Sequence, residues 1–171
     1  MKLVRPVFFA IAVLSIATAG IALAAKRKPA PMRSADIAGT YELIDRVLVG
    51  GKVLKRPEIA ALYTMANGRA NLNLFVRNAD SSIASESSII RYTLNENTYC
   101  EWIEYTTRNN LDAPGLTNVA PSVASHCTPI KVTNDEVVFA APGESVTTTY
   151  DRHGFSATIM GQFTDHWRKI G

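Results

Sequence analysis

The sequence predicts an all-β protein: an antiparallel, up-and-down β-barrel of about eight to ten strands, preceded by a signal peptide. Three observations carry this. About nine or ten short runs rich in β-formers follow one another from Asp36 onward. Tight-turn residues separate them, as at Gly50-Gly51, Asn67-Gly68 and Asp151–Gly154. No stretch beyond Ala25 has the length and period of a long helix. Such meanders fold as barrels or sandwiches, and a barrel leaves no bare strand edge.

The N-terminus stands apart from that fold. Lys2 and Arg5 precede an uncharged apolar run, residues 6–25, which ends in the small-x-small pattern Ala22-Leu23-Ala24. This is the layout of a cleaved signal peptide, residues 1–25. An uncleaved membrane anchor is the alternative. The run approaches the ~20 residues that cross a bilayer, and Lys26-Arg27-Lys28 follows it where positive charge holds a chain on the cytoplasmic side. No cysteine stands near the cleavage position, which argues against a lipoprotein. Both readings place the body outside the cytoplasm, periplasmic or secreted. Membrane contact is expected only if the apolar run is retained. Residues 26–35 read as a basic flexible tether and 36–171 as the barrel domain.

The overall charge of +3 is misleading. Six of the 18 Lys and Arg residues precede Asp36, so the remaining 12 face 15 Asp and Glu. A body with that balance is no platform for nucleic acid.

The strand runs follow in order. "TYELIDRVLV" (40–49) leads to Gly50-Gly51 and then "KVLKRP". "PEIAALYTM" reads either as a short helical turn or as a strand. It leads into Asn67-Gly68, the strongest two-residue hairpin signal. In "RANLNLFVRN" (69–78), Ala70, Leu72, Leu74 and Val76 share one face and mostly polar residues share the other, as in a half-buried strand. "NADSSIASESS" (78–88) is serine-rich and reads as a loop. "IIRYTL" then turns at residues 95–97 into "TYCEWIEYTT". Residues 108–126 show no period and contain two prolines, so they read as a long loop able to cover a mouth. Five more runs close the chain. In one of them Phe155, Ala157, Ile159 and Phe163 share a face.

Two cysteines, Cys100 and Cys127, suit one disulfide in an exported protein; two buried free thiols are the alternative.

Taken as a set, several motifs resemble those of the bacterial lipocalin-like domain family. They are Gly39-Thr40-Tyr41-Glu42-Leu43, Gly50-Gly51-Lys52-Val53, Leu62-Tyr63-Thr64 before Asn67-Gly68-Arg69, and Trp167-Arg168. The resemblance covers about residues 36–169. It departs from the family pattern at Tyr41, where tryptophan is usual, and at the cysteine pair and the 108–126 segment. It implies a calycin-like barrel whose cavity takes a small hydrophobic or amphipathic molecule. It also implies that Gly39, Tyr41, Trp167 and Arg168 close one end, with Arg168 packed over the Tyr41 ring.

Candidate ligand contacts come from strand parity. Asp45 shares parity with Tyr41, Leu43, Val47 and Val49, an otherwise apolar face. A carboxylate there needs a partner or a wet cavity, unless a β-bulge after Ile44 turns it outward. In residues 99–105 each face carries aromatics and one carboxylate. Glu101, Trp102 and Glu104 are therefore candidates, with Arg91 and Tyr92 on the preceding strand. A plain barrel strand with exposed glutamates is the competing reading.

Catalytic chemistry is not expected. His126, His153 and His166 show no zinc-binding spacing, and there is no nucleophile elbow or phosphate loop. No cofactor or metal is implied. An interaction scaffold in the envelope, and less readily an enzyme on the same barrel, remain the rival functions.

Overall fold

The computed structural model describes residues 30–78, 80–111, 113–119, 121, 125–142 and 145–171. The expected signal segment and residues 26–29 lie outside them.

The described residues form one antiparallel sheet of thirteen strands. In chain order these are β1 (Gly39–Leu48), β2 (Val53–Leu54), β3 (Ile59–Ala66), β4 (Arg69–Arg77), β5 (Ile83–Leu94), β6 (Thr98–Asn109) and β7 (Leu116–Val119). They continue with β8 (His126–Pro129), β9 (Lys131–Val132), β10 (Val137–Ala140), β11 (Val146–Tyr150), β12 (Gly154–Ile159) and β13 (Phe163–Lys169). A 3-10 turn, Ser34–Ile37, precedes β1. The surplus over the expected count includes β7, which lies inside the segment expected to be a loop, and the division of one expected run into β8 and β9.

The ladders run β7-β6-β5-β4-β3-β1-β13-β12-β11-β10-β9, with β2 also on β1 and β8 also on β6. This path does not close on itself, but it is strongly curled. Tyr99 of β6 and Phe139 of β10 lie near opposite ends of the path, yet their rings stand 4.8 Å apart. One stretch of chain joins the two margins. Its β8 pairs with β6 and its β9 with β10, and Ile130 alone separates them. The Ile130 amide donates to the Asn97 carbonyl at 2.9 Å.

Cys100 and Cys127 are register partners on β6 and β8, and they form a disulfide. It fastens the joining stretch to β6.

Asn67 and Gly68 both have positive φ, 51° and 76°, as a two-residue hairpin turn requires. The ambiguous segment before them is strand β3. Two expected loops are shorter than their composition suggested. β5 begins at Ile83, because Ala84, Glu86, Ser88, Ile90 and Tyr92 alternate inward with Ser85 and Ser87 between them. The serines looked like a loop, but they satisfy the outer face of a strand. β6 likewise runs to Asn109 and pairs with β7, turning through Asn110 and Gly115. The Asn110 amide donates to the Gly115 carbonyl at 3.0 Å, and the Gly115 amide to the Asn110 side chain at 2.7 Å.

The tether also docks earlier than expected. Met32 is buried in the core, and its amide donates to the Asn134 carbonyl. Glycine is required at two close approaches. A Cβ on Gly154 would fall 1.8 Å from the Trp167 carbonyl oxygen, and one on Gly39 2.5 Å from the Lys169 side chain.

The core fills one end of the curl. Ile37, Tyr41, Met65, Ala70 and Val137 have essentially no exposed surface. The Tyr41 hydroxyl donates to the Ile37 carbonyl at 2.6 Å, so the turn before β1 is held under the ring.

Candidate functional site

Beyond that plug the curled sheet encloses a cavity of about 600 Å³. Strand alternation supplies its walls. The even-spaced inner positions of β12 (Phe155, Ala157, Ile159) and of β4 (Leu72, Leu74) face it, as do Ile90 and Ile103. The cavity opens away from the plug, where the lining residues Leu111 and Gln162 are exposed.

An aromatic wall lines its inner part: Tyr63, Tyr99, Phe139, Tyr150, Phe155 and Trp167. The rings pack on one another. Phe155 stacks on Trp167 at 5.1 Å, Tyr150 lies 4.7 Å from Phe155, and Tyr63 meets Trp167 edge-on at 6.4 Å. The Trp167 indole N–H is sealed among these rings and has no hydrogen-bond acceptor among the described residues.

Polar groups interrupt this lining at fixed places. Arg46 makes a two-pronged contact with Asp165, Nε to Oδ1 at 2.6 Å and Nη2 to Oδ2 at 2.7 Å. Its guanidinium also lies 3.7 Å from the Phe163 ring centroid. Arg108 donates to Glu86 at 3.0 Å. The Ser88 hydroxyl donates to Glu86 at 2.9 Å and shares a hydrogen bond with the Thr106 hydroxyl at 2.9 Å. Deeper, the Tyr99 hydroxyl donates to Glu101 Oε2 at 2.8 Å.

Burial, followed by Tyr63 and Glu101, drives the Tyr99 phenol far above the ordinary phenol range. Burial, followed by the Glu101 carboxylate, does the same to Tyr63. Burial and the neighbouring tyrosines raise Tyr150. All three stay neutral hydrogen-bonding groups at physiological pH.

Of the six expected ligand contacts, Glu101 lines the cavity and the other five do not. Asp45 is turned out. The β1–β13 register shifts between Leu43 and Asp45, so Arg46 takes the inward place and Asp45 meets His166 Nδ1 at 2.6 Å on the outer side. Arg91, Trp102 and Glu104 form an outer-face cluster. The Arg91 guanidinium lies 5.0 Å from the Trp102 ring, and Glu104 is paired with both Arg69 and Arg91. Here too a register shift, between Ile89 and Ile90, determines which side chains turn in. Tyr92 is 8% exposed and belongs to the plug, 6.0 Å from Tyr99.

Two of the expected end-closing residues also need correction or refinement. Arg168 does not cover Tyr41; it points outward to Glu42 at 2.8 Å. Lys169, the register partner of Tyr41, brings its Nζ over that ring. Trp167 lines the cavity wall, while Gly39 and Tyr41 sit in the plugged end.

Sequence reasoning missed Arg46, Asp165, Glu86 and Arg108. The alternation in residues 83–90 carried a signal for Glu86. Nothing local marked the others. Among the described residues no group of three or more His, Cys, Asp or Glu side chains could hold a metal, and no helix is long and apolar enough to cross a membrane. Comparison of the chain with protein-family models, with curated proteins and with solved structures finds no match.

Proposed function

We propose that this chain is an exported lipocalin-like barrel that binds a small hydrophobic or amphipathic molecule in its cavity. The observation that carries the reading is the cavity itself. Its volume of about 600 Å³ falls in the ~300–1,000 Å³ range of small-molecule sites, and its wall is aromatic and aliphatic with a few placed polar groups. In this reading residues 126–132 act as the closing staves of the barrel. The motif resemblance from Gly39 to Arg168 and the meandering strand order support the same architecture. The disulfide and the N-terminal apolar run support export.

Binding works by burial. Each Å² of apolar ligand surface withdrawn from water contributes roughly 25 cal/mol. A ligand hiding some 300 Å² would gain about 7 kcal/mol before the entropy cost of association.

Titration with N-phenyl-1-naphthylamine, an uncharged fluorophore that brightens in apolar sites, tests the reading. Saturable enhancement is expected, together with a co-purifying small molecule in mass spectra of denatured native-source protein. A flat titration with no released molecule overturns it. Mass spectrometry of the same material reads the mature N-terminus.

A second reading, an envelope interaction module, draws on the outer face. There a groove of about 440 Å³ includes Leu62 and Leu116, both exposed. Crosslinking at Leu116 to an envelope partner, with no ligand in the cavity, would favour it.

A further inference from the structure

Register arranges the inner face of β11, β12 and β13 in rows. Tyr150, Phe155 and Trp167 are cross-strand partners and form the deep aromatic row. Thr148, Ala157 and Asp165 form the next row, and Val146, Ile159 and Phe163 the row nearest the open end. All three rows line the cavity. The middle row continues onto β1, where Arg46 is the partner of Asp165.

That middle row contains a notch with a hydrogen-bonding group at its side. Ala157 presents a single methyl group between the longer Phe155 and Ile159, so the wall is recessed there. Thr148 stands beside the recess, 7% exposed, with Phe139 of β10 as its partner on the other side. The Thr148 hydroxyl reaches the cavity and makes no hydrogen bond among the described residues. Neither Phe139 nor Ala157 has a side chain that could supply one. A hydrocarbon filling the notch would leave the hydroxyl unbonded, whereas a ligand oxygen there would complete it.

The far side of the notch is an ion pair already formed. Asp165 accepts from Arg46 through both of its oxygens. The pair presents no net charge to the notch, so a ligand ion seated beside it would leave water without gaining a counter-charge.

We propose that the cavity selects an uncharged amphiphile bearing an oxygen, an alcohol or a ketone. The oxygen sits in the Ala157 notch on the Thr148 hydroxyl, and the apolar body packs against the Tyr150, Phe155 and Trp167 row. The hydroxyl donates to a ketone, and it donates to or accepts from an alcohol. This deepens the binding reading and rests on it, and the test separates the two claims.

The compounds 4-phenylbutan-2-one, 4-phenylbutan-2-ol and butylbenzene share one skeleton and differ in their oxygen. Each is used to displace N-phenyl-1-naphthylamine, with the fluorophore's own affinity measured for every variant. Thr148→Val keeps the side chain's shape and removes the hydroxyl. It is expected to weaken the ketone and the alcohol by about threefold to tenfold and to leave butylbenzene unchanged. Thr148→Ser restores the oxygenated ligands, and Thr149→Val, on the outer face, changes none of the three. The ions 3-phenylpropanoate and 3-phenylpropylammonium are expected to compete about tenfold less well than the alcohol. Equal losses for the ketone and butylbenzene in Thr148→Val overturn the inference, as does no loss for either. An ion competing as well as the alcohol overturns it too. If Thr148→Val does not fold, Thr148→Ala compared with Thr148→Ser gives the same contrast between lost and kept hydroxyl. If the fluorophore itself fails to bind, the binding reading falls and takes this inference with it.

Discussion

The Lys169 ammonium stands over the Tyr41 ring, 5.8 Å from its centroid, at the sealed end of the curled sheet. The same Lys169 Nζ donates to the Asp36 carbonyl at 2.9 Å, so it ties the turn before β1 to the last strand. Tyr41 is 0% exposed and outside the cavity lining. Tyr41→Ala is expected to destabilise by about 3–5 kcal/mol, the usual range for emptying a buried aromatic site. Tyr41→Phe loses only the hydroxyl bond to Ile37, about 1 kcal/mol. Urea unfolding measures both. Fluorophore affinity should be unchanged in the folded fraction; affinity lost at unchanged stability would make Tyr41 a pocket residue.

The Arg46–Asp165 pair predicts a marked asymmetry between single and double substitutions. Both side chains are largely hidden, with 14% and 6% of their surface exposed. Removing one partner leaves the other's charge stranded, so Asp165→Asn or Arg46→Met should each cost about 3–5 kcal/mol. Replacing both, as Arg46→Met with Asp165→Leu, should recover most of the loss. A thermodynamic double-mutant cycle measures the coupling. Additive losses would show that the pair acts as two independent residues.

Reduction of the Cys100–Cys127 bond should loosen one margin of the sheet. The cysteines are 27 residues apart, and closing such a loop stabilises by about 3–4 kcal/mol in the chain-entropy model. Comparing unfolding midpoints of the native protein and a Cys100→Ser/Cys127→Ser variant reads this directly. Faster amide exchange in β8 and β9 than in β12 and β13 should accompany it. Uniform exchange across the sheet would count against a local role.

Alkaline pH should unfold the protein through its tyrosines. Tyr41, Tyr99 and Tyr150 are buried, and each has a folded-state pKa far above the unfolded value near 10, burial being the first cause. The folded state holds these protons more tightly than the unfolded chain does. Their contribution is therefore complete below about pH 10 and declines above it, by about 1.4 kcal/mol per pH unit for each such tyrosine. Phenolate absorbance should rise late and together with loss of the far-ultraviolet β signal. Early, gradual ionisation of all tyrosines in folded protein would contradict the burial.

Several features were legible because they are local. Asn67-Gly68 specifies its hairpin through two left-handed residues, and Phe155, Ala157 and Ile159 show their common face by simple alternation. The cysteine pair could be read from redox chemistry and count. The main failure has a physical cause: register is set by the partner strand. Asp45 had the parity of the apolar face until the shift after Leu43 turned it outward and Arg46 inward. A second shift at Ile89/Ile90 sets Ile89 opposite Tyr105 and Ile90 opposite Ile103, so β6 changes the parity of its inward side chains while β5 keeps its own. Arg168 was expected over Tyr41, but on β13 Asp165 and Trp167 turn inward and His166 and Arg168 outward, which leaves Lys169 over the ring. Strand β5 was partly hidden because Ser88 and Glu86 face a polar part of the interior, where inner positions need not be apolar.

The ladder between β1 and β13 joins the two extremes of the domain, Tyr41 against Lys169 and Leu48 against Phe163. The sheet therefore cannot be assembled in the order in which the chain is made. Strands β3 to β6 can zip as successive hairpins, and β10 to β13 likewise, because their partners are neighbours in sequence. The two halves can join along β1 only once the last strand has been synthesised. Until then β1 and β12 each present a bare edge, and the aromatic wall lacks Trp167. Losing Phe163–Lys169 would expose two sheet edges at once, and aggregation would be the expected fate of such a truncated chain.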